Sequence, residues 1–325
     1  MNTYKVLVIQ PFHEEGMRIL EARDDVRLEV IDTTDEAAIT AAIRDADAVT
    51  LRVAKLPARV IEQAERLKVV SRHGVGYDNV DVLACSRRGI VVTITAAANA
   101  VAVAEHALGL MLALSNQVLP YDRATRSGDW TIKQRLPRFE LAGKRLLIVG
   151  FGRIGRQVAR RAEALGMEVD VYDPYVDPEV IGRAGYGQVQ DLRGGLGGID
   201  VLTLHTPLTS ETRGMIGADE LALLPAHAIL INTARGGIVD EAALADALRN
   251  GRLAGAGLDV FAEEPPPRDH PLFALDNVVL SPHAAGPSRE AGIRMAVAVA
   301  RNTLAALDGR VDPEMVVNPE VLRRR

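Results

Sequence analysis

A glycine-rich turn in the middle of the chain gives a first indication of the chemistry of this protein. Arg145–Val149 predicts a strand, and Gly150-Phe-Gly152-Arg153-Ile154-Gly155 follows it with the spacing G-x-G-x-x-G. The first glycine permits a tight turn, the second lets a pyrophosphate approach the backbone, and the third lets a helix pack on the strand. The helix N-terminus supplies N–H groups and a positive dipole end. The turn therefore predicts a phosphate cradle, although the motif alone is weakly specific.

An acidic residue follows this turn at a meaningful distance. Glu168-Val-Asp-Val-Tyr-Asp173 predicts a second strand that ends on Asp173, 18 residues beyond Gly155. A carboxylate at this place accepts hydrogen bonds from both hydroxyls of an adenosine ribose. Pro174 follows Asp173 and no arginine is adjacent, which favours NAD over NADP because the 2′-phosphate of NADP needs a cation.

Three further polar residues follow predicted strands in the second half of the chain. They are Arg235 in Ile231-Asn-Thr-Ala-Arg-Gly-Gly-Ile-Val-Asp240, Glu264 in Leu258-Asp-Val-Phe-Ala-Glu-Glu-Pro265, and His283 in Leu280-Ser-Pro-His283. Parallel sheets bind ligands at the carboxyl ends of their strands, so we expect the three side chains at one edge. Taken singly, each also has a structural explanation: an ion pair for Arg235, a solvated Glu263-Glu264 pair, and a satisfied histidine.

Along the chain, short β-branched runs alternate with amphipathic helical stretches, and these carry the polar residues. This alternation predicts βαβ crossovers and mostly parallel sheets. Predicted strands of a first series are Lys5–Ile9, Arg27–Ile31, Ala48–Leu51, Lys68–Ser71 and Ile90–Ile94; those of a second are Arg145–Val149, Glu168–Tyr172, Asp200–His205, Ala228–Asn232, Ala254–Val260 and Val278–Ser281. Between the two series, Ala100–Val118 predicts one long apolar helix.

The last predicted helix, Ser288–Leu307, has no strand after it. We therefore expect a discontinuous arrangement, in which one domain is built from the two ends of the chain and the other is inserted between them. Gly194-Gly-Leu-Gly-Gly198 is interpreted as a turn before a strand and not as a phosphate cradle.

Length and composition exclude several classes of protein. The 325 residues suffice for two domains of about 100–200 residues each, and 48% hydrophobic with 25% charged residues is typical of a globular chain. A net charge of −5 with scattered basic residues disfavours binding to nucleic acid or an anionic membrane. Glu105 and His106 interrupt the most apolar stretch of the chain, so we expect no membrane-spanning helix. The N-terminus has no signal-peptide pattern. The single Cys85 predicts no cysteine zinc site and a reducing cytoplasm.

In the order of its motifs, the sequence resembles the D-isomer-specific 2-hydroxyacid dehydrogenases over nearly the whole chain. The resemblance rests on the glycine-rich turn, Leu204-His-Thr-Pro-Leu208, Thr-Ala-Arg-Gly-Gly, Asp-Val-Phe-x-x-Glu-Pro and Ser-Pro-His. It implies an α/β fold of two doubly wound parallel-sheet domains. A flavodoxin-like substrate domain would take residues 1–98 and 287–325, and a Rossmann NAD-binding domain residues 99–286. It also implies hydride transfer between NAD and a small 2-hydroxyacid or 2-oxoacid, with no metal.

The resemblance implies catalytic roles for three residues. His283 would give a proton to the C2 oxygen of an oxoacid, or take it in the reverse direction. Glu264, which directly precedes the proline as the family's acid does, would bond the other ring nitrogen and fix the tautomer. Arg235 would hold the substrate carboxylate and polarise the carbonyl.

Further contacts are implied in the same way. Cofactor contacts would come from Gly150, Gly152, Arg153, Ile154, Gly155, Asp173, His205, Thr206, Pro207, Thr233, Ala234, Asp259 and Gly286, with Asp259 bonding the nicotinamide carboxamide. In Ser71-Arg-His-Gly-Val-Gly-Tyr-Asp-Asn-Val-Asp81, the N–H groups of Val75 and Gly76 would bind the substrate carboxylate as an anion nest. Asn99 would either face the cleft or cap the long helix.

Two arginines bear on the substrate class. Arg52 follows Ala48–Leu51 and Arg72 follows the strand that ends at Ser71, and pairing with a surface carboxylate explains either one alone. Their local sequences resemble phosphoglycerate dehydrogenases, where arginines here meet the distal phosphate. We therefore predict a small substrate with an anion at each end.

The resemblance to the dehydrogenase family also leads to expectations about assembly and regulation. The apolar Ala100–Val118 and the segment Leu119–Leu141, which includes Trp130, predict a homodimer, because this region forms a two-fold interface in the resembled family. Only 18 residues follow Leu307, so we expect no C-terminal regulatory domain and no feedback control by an amino acid.

Other functions compete with this interpretation. Some members of the superfamily are NAD(H)-responsive corepressors that retain the same three polar residues, although neither a disordered tail nor a peptide-binding insertion is visible in the sequence. Phosphite dehydrogenation is compatible with the three residues. Formate dehydrogenases replace the acid with Gln, and Glu264 therefore argues against them.

Overall fold

The computed structural model describes residues 3–324, which form two compact units. The first unit contains both ends of the described chain, up to Asn99 and again from Gly286, and the second unit is Ala100–Ala285. Each unit has its own sheet, and every strand pairing in both sheets is parallel. The predicted α/β fold with two doubly wound parallel sheets is therefore confirmed.

The first unit begins with five strands and four helices in alternation. They are β1 (Tyr4–Ile9), α1 (Glu14–Glu21), β2 (Val26–Ile31), α2 (Glu36–Ile43), β3 (Ala48–Leu51), α3 (Ala58–Ile61), β4 (Val69–Arg72), α4 (Val82–Arg87) and β5 (Val91–Thr93). The strand order β2-β1-β3-β4-β5 is that of flavodoxin. Val6, Leu7 and Val8 are fully buried in succession, as expected where helices cover both faces of a parallel sheet.

The second unit contains seven strands and eight helices. They are α5 (Ala100–Ser115), α6 (Val118–Arg126), α7 (Ile132–Arg135), β6 (Arg145–Val149), α8 (Arg153–Ala164), β7 (Glu168–Tyr172), α9 (Pro178–Arg183), β8 (Gly187–Gln188), α10 (Leu192–Leu196), β9 (Val201–Leu204), α11 (Ala218–Leu223), β10 (Ile229–Asn232), α12 (Glu241–Arg249), β11 (Gly255–Leu258) and β12 (Val278–Leu280). Their order in the sheet is β12-β11-β10-β9-β6-β7-β8. The order in which strands are added, but not the direction in which they run, therefore reverses between β6 and β9. This is the Rossmann arrangement, with its ligand crevice at the reversal.

The chain returns to the first unit through α13 (Arg289–Leu307), after which 3₁₀ turns cover Pro313–Met315 and Pro319–Arg324; another, Pro271–Ala274, precedes β12. Ser288 caps α13, because its side chain accepts a hydrogen bond from Ala291 N–H at 3.1 Å. α13 packs on α1 and on β3, β4 and β5. The approach to α1 is so close that a Cβ on Gly16 would lie 2.3 Å from the carbonyl oxygen of Ala296. Glycine is therefore required at this helix contact.

Two predicted features of the second unit were wrong in detail. The single helix Ala100–Val118 is instead broken after Ser115, because Gln117 takes a left-handed backbone conformation (φ 55°) and α6 then begins. Within residues 3–324 no single helix is long and apolar enough to cross a membrane, although α5 and α6, bent by 56°, reach that length and composition as a pair. Gly194 and Gly195, predicted in a turn, lie in α10, where Asp191 accepts a hydrogen bond from Gly194 N–H at 2.8 Å.

The glycine-rich turn between β6 and α8 shows three different glycine environments. Gly150 has a φ of +98°, and a Cβ there would lie 2.7 Å from the carbonyl oxygen of His205. A Cβ on Gly155 would lie 2.0 Å from the carbonyl oxygen of Gly150. A Cβ on Gly152 would meet no protein atom within 4 Å, and its φ of −75° suits any residue. Protein packing therefore requires glycine at the first and third positions but not at the second.

This difference predicts unequal effects of two alanine substitutions. Gly155→Ala has to displace backbone, so we expect the free energy of unfolding to fall by about 1–3 kcal/mol or more. Gly152→Ala meets open space and should change it by less than about 0.5 kcal/mol. Urea denaturation followed by circular dichroism measures both variants. Equal losses of stability would contradict the assigned packing roles.

Candidate active site

The carboxyl edge of the second unit's sheet gathers most of the predicted site residues. Six strands are each followed there by at least one of them: Gly150 after β6, Asp173 after β7, His205 after β9, Arg235 after β10, Asp259 after β11 and His283 after β12. In a parallel sheet these turns share one edge, which is the usual place for a ligand. Among residues 3–324, no group of three or more His, Cys, Asp or Glu side chains has metal-binding geometry.

Asp173 is fixed at the end of β7 by two backbone groups. Its Oδ2 accepts a hydrogen bond from Phe151 N–H at 2.7 Å, and its Oδ1 accepts one from Tyr175 N–H at 2.9 Å. The carboxylate thus links the glycine-rich turn to the end of β7. Because a carboxylate offers about four acceptor sites, it retains acceptors for the hydroxyls of a ribose. Arg153 and Ile154 form the first turn of α8 beside it.

Three buried polar atoms near this edge lack a partner in the described chain: His205 Nδ1, Thr206 Oγ1 and Thr233 Oγ1. The other ring nitrogen of His205 lies 2.9 Å from Thr203 Oγ1. Burial lowers the pKa of His205 to about 3, so its ring is neutral at pH 7. Buried polar atoms normally have hydrogen-bond partners. Together with the open space at Gly152, these atoms fit a polar group bound from outside, as a dinucleotide would be; Pro207 follows them on the surface.

The turn after β10 presents Arg235. Asn232 holds this turn from both sides: its Nδ2 donates to the carbonyl of Arg235 at 2.9 Å, and its Oδ1 accepts from Ala234 N–H at 3.0 Å. Arg235 Nη1 donates to the carbonyl of Ala234 at 2.7 Å. A Cβ on Gly236 would lie 1.8 Å from the carbonyl of Phe261. This close approach brings the Arg235 turn against the segment that carries Glu264.

Glu264 and His283 form a hydrogen-bonded pair. Glu264 Oε2 lies 2.7 Å from His283 Nδ1, and Glu264 Oε1 accepts from Phe261 N–H at 3.0 Å. Burial acts to raise the pKa of Glu264, but the hydrogen bonds from His283 and Phe261 and the charges of His283 and Arg235 outweigh it and hold that pKa below its usual value. Glu264 is therefore ionised at neutral pH and stabilises positive charge on His283 and Arg235.

The backbone of His283 is unusual, since its φ is +54°. Such a left-handed conformation costs a residue other than glycine roughly 1–2 kcal/mol. The His283 N–H donates to the carbonyl of Asp259 at 2.8 Å. Both carboxylate oxygens of Asp259, which is predicted to bond the cofactor, accept hydrogen bonds from protein N–H groups. The sequence does not predict that Asp259 also binds the backbone of the turn that carries His283.

Another pair that the sequence did not predict supports the Glu264 segment. Glu241, at the start of α12, accepts from Ala262 N–H at 2.6 Å and lies 3.0 Å from His270 Nε2. Both side chains are largely buried, with 16% and 10% exposed. Glu241 and His270 therefore hold the turn between Phe261 and Glu264. Their separation of 29 residues in the sequence leaves no local pattern from which to find them.

In the first unit, the predicted substrate loop follows β4. Gly74 has a φ of +145° and its carbonyl accepts from Thr95 N–H at 2.9 Å. The N–H groups of Val75 and Gly76 donate to no other group in residues 3–324. Neighbouring N–H groups without an acceptor in the described part of the chain are able to bind an anion.

A cationic cluster, formed by Arg52 and Arg72, lies beside this loop. Arg72 Nε donates to Asn79 Oδ1 at 3.2 Å, and Asn79 Nδ2 donates to the carbonyl of Arg52 at 3.1 Å. Arg52 Nη1 donates to the carbonyl of Pro11 at 3.3 Å. Burial and the charges of Arg52 and Arg72 lower the pKa of His73 to about 4. His73, which no sequence motif singles out, is therefore neutral beside two guanidinium groups.

Asn99 and Gly286 lie together in the first unit, where a Cβ on Gly286 would be 3.1 Å from Asn99 Nδ2. The Oδ1 of Asn99 is buried and has no partner in the described chain. Gly286 thus belongs to the first unit, whereas the other predicted cofactor residues belong to the second.

Known proteins resemble the chain over its whole length. A family model described as "D-isomer specific 2-hydroxyacid dehydrogenase, NAD binding domain" matches residues 108–285. A D-3-phosphoglycerate dehydrogenase of Methanocaldococcus jannaschii is 41% identical over 318 residues, which cover 98% of this chain and 60% of that protein. A glyoxylate reductase of Korarchaeum cryptofilum is 40% identical over 330 residues, which cover 99% of this chain and 98% of that protein.

A solved structure agrees with these relatives. The NADPH-dependent glyoxylate/hydroxypyruvate reductase of Sinorhizobium meliloti, in complex with NADP and malonate, superposes with a TM-score of 0.87 and is 33% identical, with 99% of both chains covered. The chain spans about 60% of the length of the M. jannaschii phosphoglycerate dehydrogenase but nearly all of the K. cryptofilum glyoxylate reductase. The chain therefore belongs to the family of D-isomer-specific 2-hydroxyacid dehydrogenases, and its second unit contains the nicotinamide-binding domain of that family.

Proposed function

We propose that this protein is a dehydrogenase that interconverts small 2-oxoacids and 2-hydroxyacids with NAD. The observation that carries the proposal is the contact of 2.7 Å between Glu264 Oε2 and His283 Nδ1. With Nδ1 bonded to the acid, Nε2 of the half-exposed ring is the atom that meets the substrate oxygen. A histidine that a carboxylate orients in this way is able to act as a proton donor and acceptor.

Reduction of an oxoacid requires a hydride at C2 and a proton at the carbonyl oxygen. When bound, reduced nicotinamide would supply the hydride, hence the two electrons, that C2 of the oxoacid receives. His283 gives its Nε2 proton to the carbonyl oxygen, so that the C=O bond becomes CH–OH and the ring is left neutral. Ionised Glu264 stabilises the charged ring before this transfer. Arg235 would hold the carboxylate of the substrate and polarise its carbonyl with its planar pair of N–H donors.

The second unit would bind NAD at its glycine-rich turn. Gly152 leaves room for the pyrophosphate, the first turn of α8 offers N–H donors, and the unpartnered atoms of His205, Thr206 and Thr233 would meet polar atoms of the cofactor. Asp173 favours NAD, because its carboxylate accepts from ribose hydroxyls and repels a 2′-phosphate. The first unit would then be the substrate domain.

We also propose that the substrate has an anion at each end. Arg52 and Arg72 place two positive charges beside His73, and the free N–H groups of Val75 and Gly76 add anion-binding capacity in the same loop. Guanidinium groups bind phosphate, sulfonate and carboxylate oxygens through paired hydrogen bonds. Oxoacids of the phosphohydroxypyruvate, sulfopyruvate or oxaloacetate type have the required charge.

A homodimer is the assembly that we propose. The side chains of Leu119 and Trp130, both on the segment after α5, present apolar surface to the outside, with 44% and 72% exposed respectively. Such a surface is well suited to a two-fold contact with a second copy. We propose the cytoplasm as its compartment, because the single cysteine, Cys85, is buried and forms no disulfide within the chain; cell fractionation tests this placement.

Removal of the imidazole should abolish most turnover. We expect His283→Ala to lower kcat for oxoacid reduction by roughly 10²–10⁴-fold, with little change in NADH affinity, because it removes only the proton donor. The assay uses a panel of 2-oxoacids with NADH and NADPH in parallel. Near-normal turnover of the variant would contradict the proposed role of His283.

The unmodified protein tests two further points in the same assay. Absence of turnover with every oxoacid would favour a binding function, and a preference for NADPH over NADH would contradict the proposed role of Asp173.

Removal of either cluster arginine should affect dianionic substrates selectively. We expect Arg52→Ala and Arg72→Ala to raise KM for phosphohydroxypyruvate by about tenfold or more, the size of a lost charge-assisted hydrogen bond, while KM for pyruvate changes little. Arg59→Ala is the matched control, since Arg59 is an exposed arginine of the same unit that pairs with Glu36. If the unmodified protein prefers phenylpyruvate to every dianion, this substrate class is wrong.

The apolar surface should control assembly. We expect sedimentation velocity at micromolar concentration to find a dimer, and Leu119→Glu or Trp130→Glu to shift it towards monomer by burying a charge in the contact. Leu223→Glu, at an exposed leucine outside this segment, is the control and should leave the dimer intact. A monomeric unmodified protein would refute the proposal.

A further inference from the structure

The carboxylate of Asp259 lies buried beneath the turn that carries His283. Asp259 is 1% exposed, and its Oδ1 accepts hydrogen bonds from Ser281 Oγ at 2.5 Å and Ala284 N–H at 2.8 Å. Its Oδ2 accepts from Ala285 N–H at 2.9 Å. A buried charge requires such partners, and these three donors come from one turn, residues 281–285.

The buried carboxylate accounts for the backbone conformation of His283. A residue in the left-handed conformation turns the N–H groups that follow it towards one point, where they form a concavity that binds an anion. The N–H groups of Ala284 and Ala285 converge in this way on Asp259. The hydrogen bond from His283 N–H to the carbonyl of Asp259, at 2.8 Å, holds the turn at a further point. Asp259 thus offsets the cost of the positive φ.

The directions of the remaining hydrogen bonds follow from the donors available. Ser281 has one hydroxyl proton, and its Oγ donates this proton to Asp259 Oδ1. His106 Nε2 lies 2.8 Å from the same Ser281 oxygen and 3.6 Å from Asp259 Oδ1. Because the Ser281 proton is already used, His106 carries a proton on Nε2 and donates it to Ser281. A directed chain therefore runs from α5 to the turn of His283.

We propose that Ser281 and His106 are positioning residues for proton transfer by His283. They anchor the Asp259 carboxylate, and through it they hold the turn so that the ring of His283 stays on Glu264. The inference rests on the proposed function, since it takes His283 as the proton donor. It goes beyond that function because neither Ser281 nor His106 is assigned a contact with substrate or cofactor.

Loss of this anchor should affect catalysis more than binding. Glu264 is held separately by Phe261 N–H and its segment by Glu241, so the acid stays in place when Ser281 is changed. The ring of His283 then loses its fixed relation to the acid and to the substrate oxygen. A misplaced proton donor raises the energy of the transition state and leaves ground-state binding almost unchanged.

Ser281→Ala tests this directly. We expect kcat for oxoacid reduction to fall about 10- to 100-fold while KM for NADH changes less than about twofold. Ser115→Ala is the matched control: Ser115 is a fully buried serine of α5 whose hydroxyl donates to the carbonyl of Leu112 at 3.4 Å, away from the turn. The control should keep kcat within about twofold.

A double variant separates positioning from general damage. If Ser281 acts through His283, adding Ser281→Ala to His283→Ala should lower kcat no further, because the group being positioned is already absent. A further fall as large as that of the single Ser281→Ala variant would overturn the inference.

His106 provides an independent pair of variants, which carries the test if Ser281→Ala does not fold. His106→Leu removes the donor to Ser281 but keeps the Ser281–Asp259 contact, and we expect kcat to fall about 3- to 10-fold. His106→Gln retains an N–H at similar reach and should restore kcat to within about twofold. The inference fails if Ser281→Ala and His106→Leu retain full kcat while His283→Ala is impaired. Full turnover by His283→Ala overturns the proposed function itself.

Discussion

The candidate site depends on one constraint, the parallel direction of all seven strands in the second unit. Because the strands run the same way, the turns that follow them open at the same edge, and residues far apart in the sequence meet there. Gly150 and His205 follow β6 and β9, the two neighbouring strands at the reversal of strand order, and come so close that no Cβ fits between them. Glu264 and His283 meet from turns after β11 and β12 for the same reason. Topology alone brings these groups together.

Burial then gives side chains of the same type different properties. His205 and His73 are held neutral, the first by burial and the second by burial beside two guanidinium groups. A neutral ring is able to offer a hydrogen-bond acceptor, which suits contact with polar groups of a ligand. His283 is instead half-exposed and bonded to an ionised acid. The same residue type thus offers acceptors at two places and, in the proposed mechanism, proton transfer at a third.

The sequence predicts best those features that local spacing determines. The glycine-rich turn and Asp173 depend on one strand–turn–helix–strand segment, and nearly all the strands lie within two residues of their expected bounds. The family and both sheets are confirmed, whereas the roles of the individual site residues stay predictions. What the sequence could not predict depends on distant or subtle contacts. His106 meets Ser281 across 175 residues, Glu241 meets His270 across 29, and the break at Gln117 comes from one left-handed residue.

The return of α13 to the first unit has a consequence for the order of events during synthesis. α13 packs on β3, β4 and β5 and on α1, where Arg23 also pairs with Asp308 at 3.2 Å. The whole second unit lies between these partners in the chain. The ribosome therefore releases every residue of the second unit before the helix that covers one face of the first sheet. The unit that starts to emerge first is therefore the one completed last. Until α13 is made, Val8 and Val69, which share a core cluster with Ala300 of α13, lack the cover of that helix.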